Sequence, residues 1–172
     1  EIIELKRPFA QLNIGTSDYA ASKSAGYEPK YSSVKVSNVY NTLNLVDGTV
    51  SNDVEVVYSY NAIPTPTDQI FPVTGYEYLA MNYLLVDSEK DVIDVEFAYT
   101  ETDENAAKKR TVGSVPVQRN HRTNIYGQLL TSNVDINVEI KPAYEEPALE
   151  ADELFLAAAV GGKVTLKNDV EL

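Results

Sequence analysis

The chain has 172 residues and no cysteine, and its 26 acidic against 14 basic side chains leave a net charge of −12. That length suits one domain with an appendage, or two small domains, and lets about 70% of the unfolded surface be buried, so a core needs no covalent staples. The missing cysteine excludes disulfides, thiolate metal sites and a cysteine nucleophile, and the acidity opposes binding to nucleic acid or to an anionic membrane surface.

No apolar run reaches the roughly 18 residues that a bilayer crossing needs. Glu1-Ile2-Ile3-Glu4-Leu5 reads as strand from the first residue, with neither an initiator methionine nor a charged-then-apolar leader, so a cut or processed chain is expected. Ala10, Leu12 and Ile14 then alternate. Residues 15 to 33 are rich in Ser, Ala, Gly and Tyr, with one weakly patterned helix over Tyr19 to Lys23. Alternation returns at Val34 and Val36 and at Leu43 and Leu45, and Val54 and Val57 lie in a β-branched run that ends in Tyr58 and Tyr60.

Residues 61 to 75, "NAIPTPTDQIFPVTG", hold three prolines. Each removes a backbone donor, so the stretch is a long connection or an edge, as a Greek key requires. Ile93, Val95, Phe97 and Tyr99 face one way and Asp94, Glu96 and Ala98 the other. The loop Glu101 to Lys109 then turns the chain into Val112 to Val117, completing a hairpin. In "RNHRTNIYGQLLTSNVDINVEI", Thr123, Ile125, Gly127 and Leu129 share a face and Thr131-Ser132-Asn133 turns. Val134, Ile136, Val138 and Ile140 follow as a second strand. A glycine inside such a strand predicts a kink at Gly127. One core is expected to hold Ala10, Leu12, Ile125, Leu129, Ile136 and Val138.

Many short strands with turn residues between them, and almost no helix, predict an all-β fold, an antiparallel β-sandwich over residues 1–141. "PAYEEPALEAD", residues 142–152, reads as a Pro/acidic linker. Residues 153–172 form a C-terminal appendage: a helix over "ELFLAAAV", capped by Asp152 and stopped by Gly161-Gly162, then a strand. Val164, Leu166, Val170 and Leu172 project to one side of that strand, the pattern of a donated strand that fills a groove in another sheet. Asn168 interrupts that face. Donation to a second copy, docking on its own sandwich and disorder all remain open.

Candidate chemistry is sparse. His121 is the chain's only histidine, flanked by Arg119 and Arg122, and no serine lies in a Gly-x-Ser-x-Gly setting. A polar strand start, with the arginines paired to sheet-edge carboxylates, is the expectation there. Asp87, Glu89, Asp91, Asp94 and Glu96 lie close in sequence, but Asp94 and Glu96 share the solvent face of a half-exposed strand. "ETDEN" at 101 to 105 lacks the spacing of a preorganised calcium loop. No catalytic residue, metal ligand or cofactor is assigned. Twelve tyrosines against four phenylalanines and no tryptophan single out Tyr76, Tyr78 and Tyr83 as a candidate contact surface.

"LKRPFAQLNIG", "VKVSNVYNTLNLVDGTVS", "GYEYLAMNYLLV" and above all "VPVQRNHRTNIYGQLLTSNVDINVEI" resemble the fimbrillin-like proteins of Bacteroidales surface pili, over roughly residues 5 to 142. The resemblance implies a secreted sandwich of transthyretin-like Greek-key topology, exported as a lipoprotein to the cell surface or fimbrium. It implies a non-enzymatic structural or adhesive role in stalks, anchors or tips. The implied partners are other pilin subunits or a second copy, with a host protein or glycan at the tip. The tail "ELFLAAAVGGKVTLKNDVEL" looks instead like the opening turn of a right-handed parallel β-helix. The alternative is therefore a carbohydrate-binding or accessory module of a larger secreted β-helix protein.

Overall fold

The computed structural model describes residues 7–65, 69–102, 106–132 and 136–142. In chain order they form β1 (Phe9–Thr16), α1 (Tyr19–Ser24), β2 (Tyr31–Leu43), β3 (Val50–Ala62), β4 (Glu77–Leu85), β5 (Asp91–Thr100), β6 (Lys108–Val117), β7 (His121–Gly127) and β8 (Asn137–Pro142). Two four-stranded sheets result, with strand orders β4-β1-β7-β8 and β3-β2-β5-β6. The expected β-sandwich is present, and the chain crosses between its layers after β1, β3, β4 and β6. Pro64 and Pro72 of the β3–β4 connection fall on one of these crossings, outside the strands, where no ladder asks for their missing donors. The predicted linker beyond Pro142 and the appendage 153–172, with Val164, Leu166, Val170 and Leu172, lie outside the described residues.

Alternation builds the core. Ala10, Leu12 and Ile14 of β1, Ala80 and Leu84 of β4 and Ile125 of β7 are buried against Val34 and Val36 of β2, Ile93, Val95, Phe97 and Tyr99 of β5, and Val115 and Val117 of β6. Leu129, just past β7, is buried with them. Ile136 packs partly buried against the cluster, but Val138 is 39% exposed. Val138 pairs with Ile125 and so has the predicted phase, yet β8 is the outer strand of its sheet, and phase alone does not cover a side chain there. Leu45 departs from expectation too: β2 stops at Leu43, and Leu45 stands exposed in the following turn.

Both β2 and β6 break strict alternation. Val36 and Val39 are three residues apart and both buried, and Val112 and Val115 of β6 repeat the spacing. In each case one extra residue is inserted between successive pairs, Val36/Val39 against Val56/Val54 and Val112/Val115 against Val95/Ile93. Asn38 (φ 63°) and Ser114 (φ 55°) absorb the insertions in the left-handed region. The bulges flank Asp94, which pairs with Ser37 on one side and whose carboxylate accepts from Ser114 N at 3.0 Å on the other.

One pairing is parallel, β1 with β7; the others are antiparallel. The kink expected at Gly127 is absent. β7 keeps unbroken register with β1 through Thr16–Gly127 and ends there, its last carbonyl accepting from Ser17 N at 3.0 Å and Thr16 Oγ1 at 3.2 Å. The irregularity falls opposite Gly15 instead, where Leu79 is the extra residue of β4. The Leu79 carbonyl accepts from Ser32 Oγ of the facing sheet at 2.5 Å, so the bulge supplies a polar tie between the layers.

Candidate functional site

The Arg119-Asn120-His121-Arg122 segment forms the corner by which the chain passes from β6 to β7. Asn120 adopts φ 61°, and His121 N donates to Gln118 O at 3.1 Å to close the turn. Backbone amides fix the corner to its neighbours, Arg119 N to Asp87 O and Asn120 N to Phe9 O. The Arg119 guanidinium then reaches two carbonyls, Gly48 O in the β2–β3 turn at 2.8 Å and Val86 O beyond β4 at 3.3 Å. The expected pairing with sheet-edge carboxylates is therefore corrected. The fork of the guanidinium suits two backbone acceptors, and it ties three connections at one end of the sandwich.

His121 Nδ1 lies 2.9 Å from Arg119 O, which fixes its ring within the turn. Thr123 Oγ1 donates to Pro116 O at 2.6 Å. Arg122 makes no ion pair with a carboxylate among the described residues. It stands on the outer face of the first sheet, between Gln11 on β1 and Lys141 on β8, and Lys141 is itself paired with Glu139.

Asp94 and Glu96 do not converge on a site. Asp94 caps the β6 bulge, and Glu96 pairs with Lys109 at 2.9 Å on the outer face of the second sheet. No group of three or more potential metal ligands occurs among the described residues. Of "ETDEN", residues 103–105 lie outside them.

The three tyrosines are separated by the fold. Tyr78 is only 7% exposed, its ring edge-on to Phe71 with centroids 4.9 Å apart, so it is not part of an open surface. Tyr76 is half-buried and meets Tyr126 in the same way, also at 4.9 Å. Phe71, brought in by the β3–β4 connection, sits between them because Gly15 leaves room. A Cβ on Gly15 would fall 2.5 Å from the Phe71 ring. Burial in this plug pushes the Tyr78 hydroxyl up from its ordinary pKa, against the nearby Arg122 charge. Tyr83 is different: it lies further along β4 and is 53% exposed.

Tyr83 opens onto a groove that alternation hides. Phe9 and Gln11 have the outward phase of β1 and read as its solvent face, yet Phe9 is a large apolar ring with no role in the core and is 46% exposed. With Arg7, Pro8, Tyr83 and His121 they line a concavity of about 540 Å³. Behind it, Gln11 Nε2 donates to Asn13 Oδ1 at 2.9 Å and Asn13 Nδ2 to Asn124 Oδ1 at 2.8 Å, a relay whose two asparagines are buried. The one sequence signal for the groove was Phe9, an aromatic out of phase with Ala10 and Leu12.

A second polar cluster was not foreseen. Asp18 is at the N-terminus of α1, but its carboxylate makes no bond to that helix. It accepts from Thr131 Oγ1 at 2.6 Å, Thr131 N at 2.8 Å and Leu130 N at 3.3 Å, and from Thr16 Oγ1. Burial works to raise the Asp18 pKa, but these donors together outweigh it and hold the carboxyl below its ordinary value.

Comparison with known proteins places the chain. Residues 1–166 match the model of a family described as a family of unknown function, DUF6562. The chain belongs to that family. No curated protein matches it. Among solved structures it is similar to a fimbrial protein from Bacteroides vulgatus ATCC 8482, at 10% identity and a TM-score of 0.31, over 77% of this chain and 53% of that one. The chain thus spans about half the length of the fimbrial protein.

Proposed function

We propose that this member of the family is a non-enzymatic surface protein of the fimbrillin type. In this reading it is exported as a lipoprotein to the cell surface or fimbrium and serves there as a structural or adhesive subunit. The observation that carries the reading is the use made of Arg119, Asn120 and His121. The segment that most resembles the fimbrillin-like proteins, and that holds the chain's only histidine, directs its bonds to backbone carbonyls and holds the end of a sandwich. Such a segment is framework, and framework is what a load-bearing subunit needs.

The partners in this reading are other pilin subunits or a second copy, and no cofactor is involved. β3 and β4 are outer strands of opposite sheets, and a cleft of about 190 Å³ between them is lined by Tyr58, Ser59 and Asn61 on one side and Leu79, Met81 and Asn82 on the other. Outer strands of this kind, with no neighbouring strand on one side among the described residues, accept an added strand, and residues 163–172 are the candidate donor. Light scattering of the intact chain, and of a chain lacking residues 153–172, tests the reading. Association that disappears on deletion is expected. An intact chain that stays monomeric at high concentration would overturn strand donation.

A second reading, a carbohydrate-binding module attached to a larger secreted protein, is favoured by the groove between Phe9 and Tyr83. Glycan binding without self-association would select it.

A further inference from the structure

From the four outer strands we infer that residues 163–172 of one copy add to β4 of another, with Asn168 set opposite Asn82. The inference rests on the strand donation proposed above and adds to it the receiving edge and the register. Proteins guard the outer strands of a sheet with charge, proline and bulges. β6 carries Lys108, Lys109, Arg110 and Pro116, with a bulge at Ser114, and β8 has Glu139, Lys141 and Pro142. β3 holds Asp53 and Glu55, and its register with β2 shifts between Tyr58 and Asn61. Residues 80–85 of β4 have neither charge nor proline, and their register with residues 9–14 is unbroken. Among the described outer strands this is the regular, unguarded edge.

The inward face of that stretch sets the register. Ala80 and Leu84 are buried there, and Asn82, opposite Leu12, lies between them as a half-buried polar side chain. Its Oδ1 is buried and has no hydrogen-bond partner among the described residues, a cost that a donor on an added strand would relieve. The tail has the matching pattern, since Val164, Leu166, Val170 and Leu172 share an apolar face that Asn168 interrupts. Setting Asn168 opposite Asn82 gives each amide a partner across the pair. In the antiparallel direction, the more stable per residue, Leu166 then lies beside Leu84 and Val170 beside Ala80, whose short side chain lines the cleft of about 190 Å³. A slip by one residue would turn the apolar face to solvent, and a slip by two would set both asparagines against aliphatic neighbours. Tyr58 Oη donates to Tyr83 O at 2.7 Å, and that carbonyl keeps a second lone pair for an incoming N–H.

The chain has no cysteine, so introduced thiols report the pairing directly. Tyr83 is 53% exposed on the outward face, and in this register Lys167 stands opposite it. The full chain carrying Tyr83→Cys is mixed with the full chain carrying Lys167→Cys, and the mixed disulfide is followed by non-reducing electrophoresis and mass spectrometry. It is expected to form at least about tenfold faster than with Val57→Cys on β3 in place of Tyr83→Cys, or with Asp169→Cys, which the parallel direction would bring opposite Tyr83. Faster linkage at Val57 would move the strand to β3, and faster linkage at Asp169 would overturn the antiparallel register, with donation standing in both cases. No linkage in a chain that light scattering shows to associate would overturn the edge, and no linkage in a monomeric chain would overturn the donation beneath it. A chain with both cysteines that closes only on itself would overturn the second copy as donor. Asn168→Leu, although more apolar, should weaken association about tenfold because it leaves the Asn82 amide unpaired, and adding Asn82→Leu should restore it to within about threefold. Tighter association of Asn168→Leu alone would overturn the asparagine pair.

Discussion

Replacing Asp18 by asparagine probes the buried carboxylate most directly, because the new side chain keeps its shape and loses only charge and one acceptor. Thr131 N and Thr131 Oγ1 converge on Oδ2 at 2.8 and 2.6 Å, with Leu130 N at 3.3 Å. If the amide nitrogen takes that place, the Thr131 N–H faces another donor. If it takes the Oδ1 place, the bond from Thr16 must reverse and the remaining bonds lose charge assistance. Hydrogen bonds to a charged group contribute about 1.5–3 kcal/mol net, so a loss in that range is expected for Asp18→Asn by urea titration with an unchanged m-value. In a domain of this size it corresponds to a fall in Tm of about 3–12 °C.

The pH dependence follows from the direction of the shift. A carboxyl lowered in the folded state stabilises fully above its unfolded pKa, about 3.9, and loses that contribution as the pH falls through the lower folded value. The gap between wild type and Asp18→Asn should therefore be constant from pH 7 to about pH 5 and close below about pH 4. A loss under about 0.5 kcal/mol at pH 7, or a gap that stays the same at pH 3, would refute the reasoning.

Gly15→Ala should destabilise by about 1–3 kcal/mol through overpacking against Phe71. Combining it with Phe71→Ala should show strong coupling, which a double-mutant cycle in denaturant measures. Arg119→Ala removes donors from both Gly48 O and Val86 O and is expected to cost about 1.5–3 kcal/mol, whereas His121→Ala, which loses one bond within its own turn, should cost under about 1 kcal/mol. Equal losses would contradict the corner as described. Leu12→Ala should cost about 2–5 kcal/mol and Val138→Ala under about 1 kcal/mol, an order that chemical denaturation checks and that phase alone would not give.

The inner faces were legible because a half-buried sheet imposes a period of two, and Ala10, Leu12, Ile14 and Ile93 through Tyr99 carry it without interruption. Val39 and Val112 were not, since a bulge shifts the phase and its signal is a single Asn or Ser able to adopt positive φ. The parallel pairing of β1 with β7 leaves no local trace, as two strands far apart in sequence can align either way. Tyr78 and Tyr83 look alike in the sequence. Their different fates depend on Phe71, which a proline-rich connection delivers onto the space left by Gly15. Asp18 would have passed for an ordinary helix cap, because its real partners, Leu130 and Thr131, lie across the fold.

The position of β1 between β4 and β7 also sets a clock. Asn13 and Asn124, joined across that pairing, are 111 residues apart in the chain. At a synthesis rate of about 5–20 residues per second, one edge of β1 waits on the order of ten seconds for the strand that covers it. Meanwhile β2, β3, β5 and β6 can close their own sheet, since all four precede β7. Folding thus has an early layer of strands close in the chain and a late layer that joins β1 to β7, the kind of long-range closure that makes sandwiches slow to form. Until β7 arrives, the outward Phe9 and the inward Leu12 stand on a strand that is paired at most along one edge, with β4.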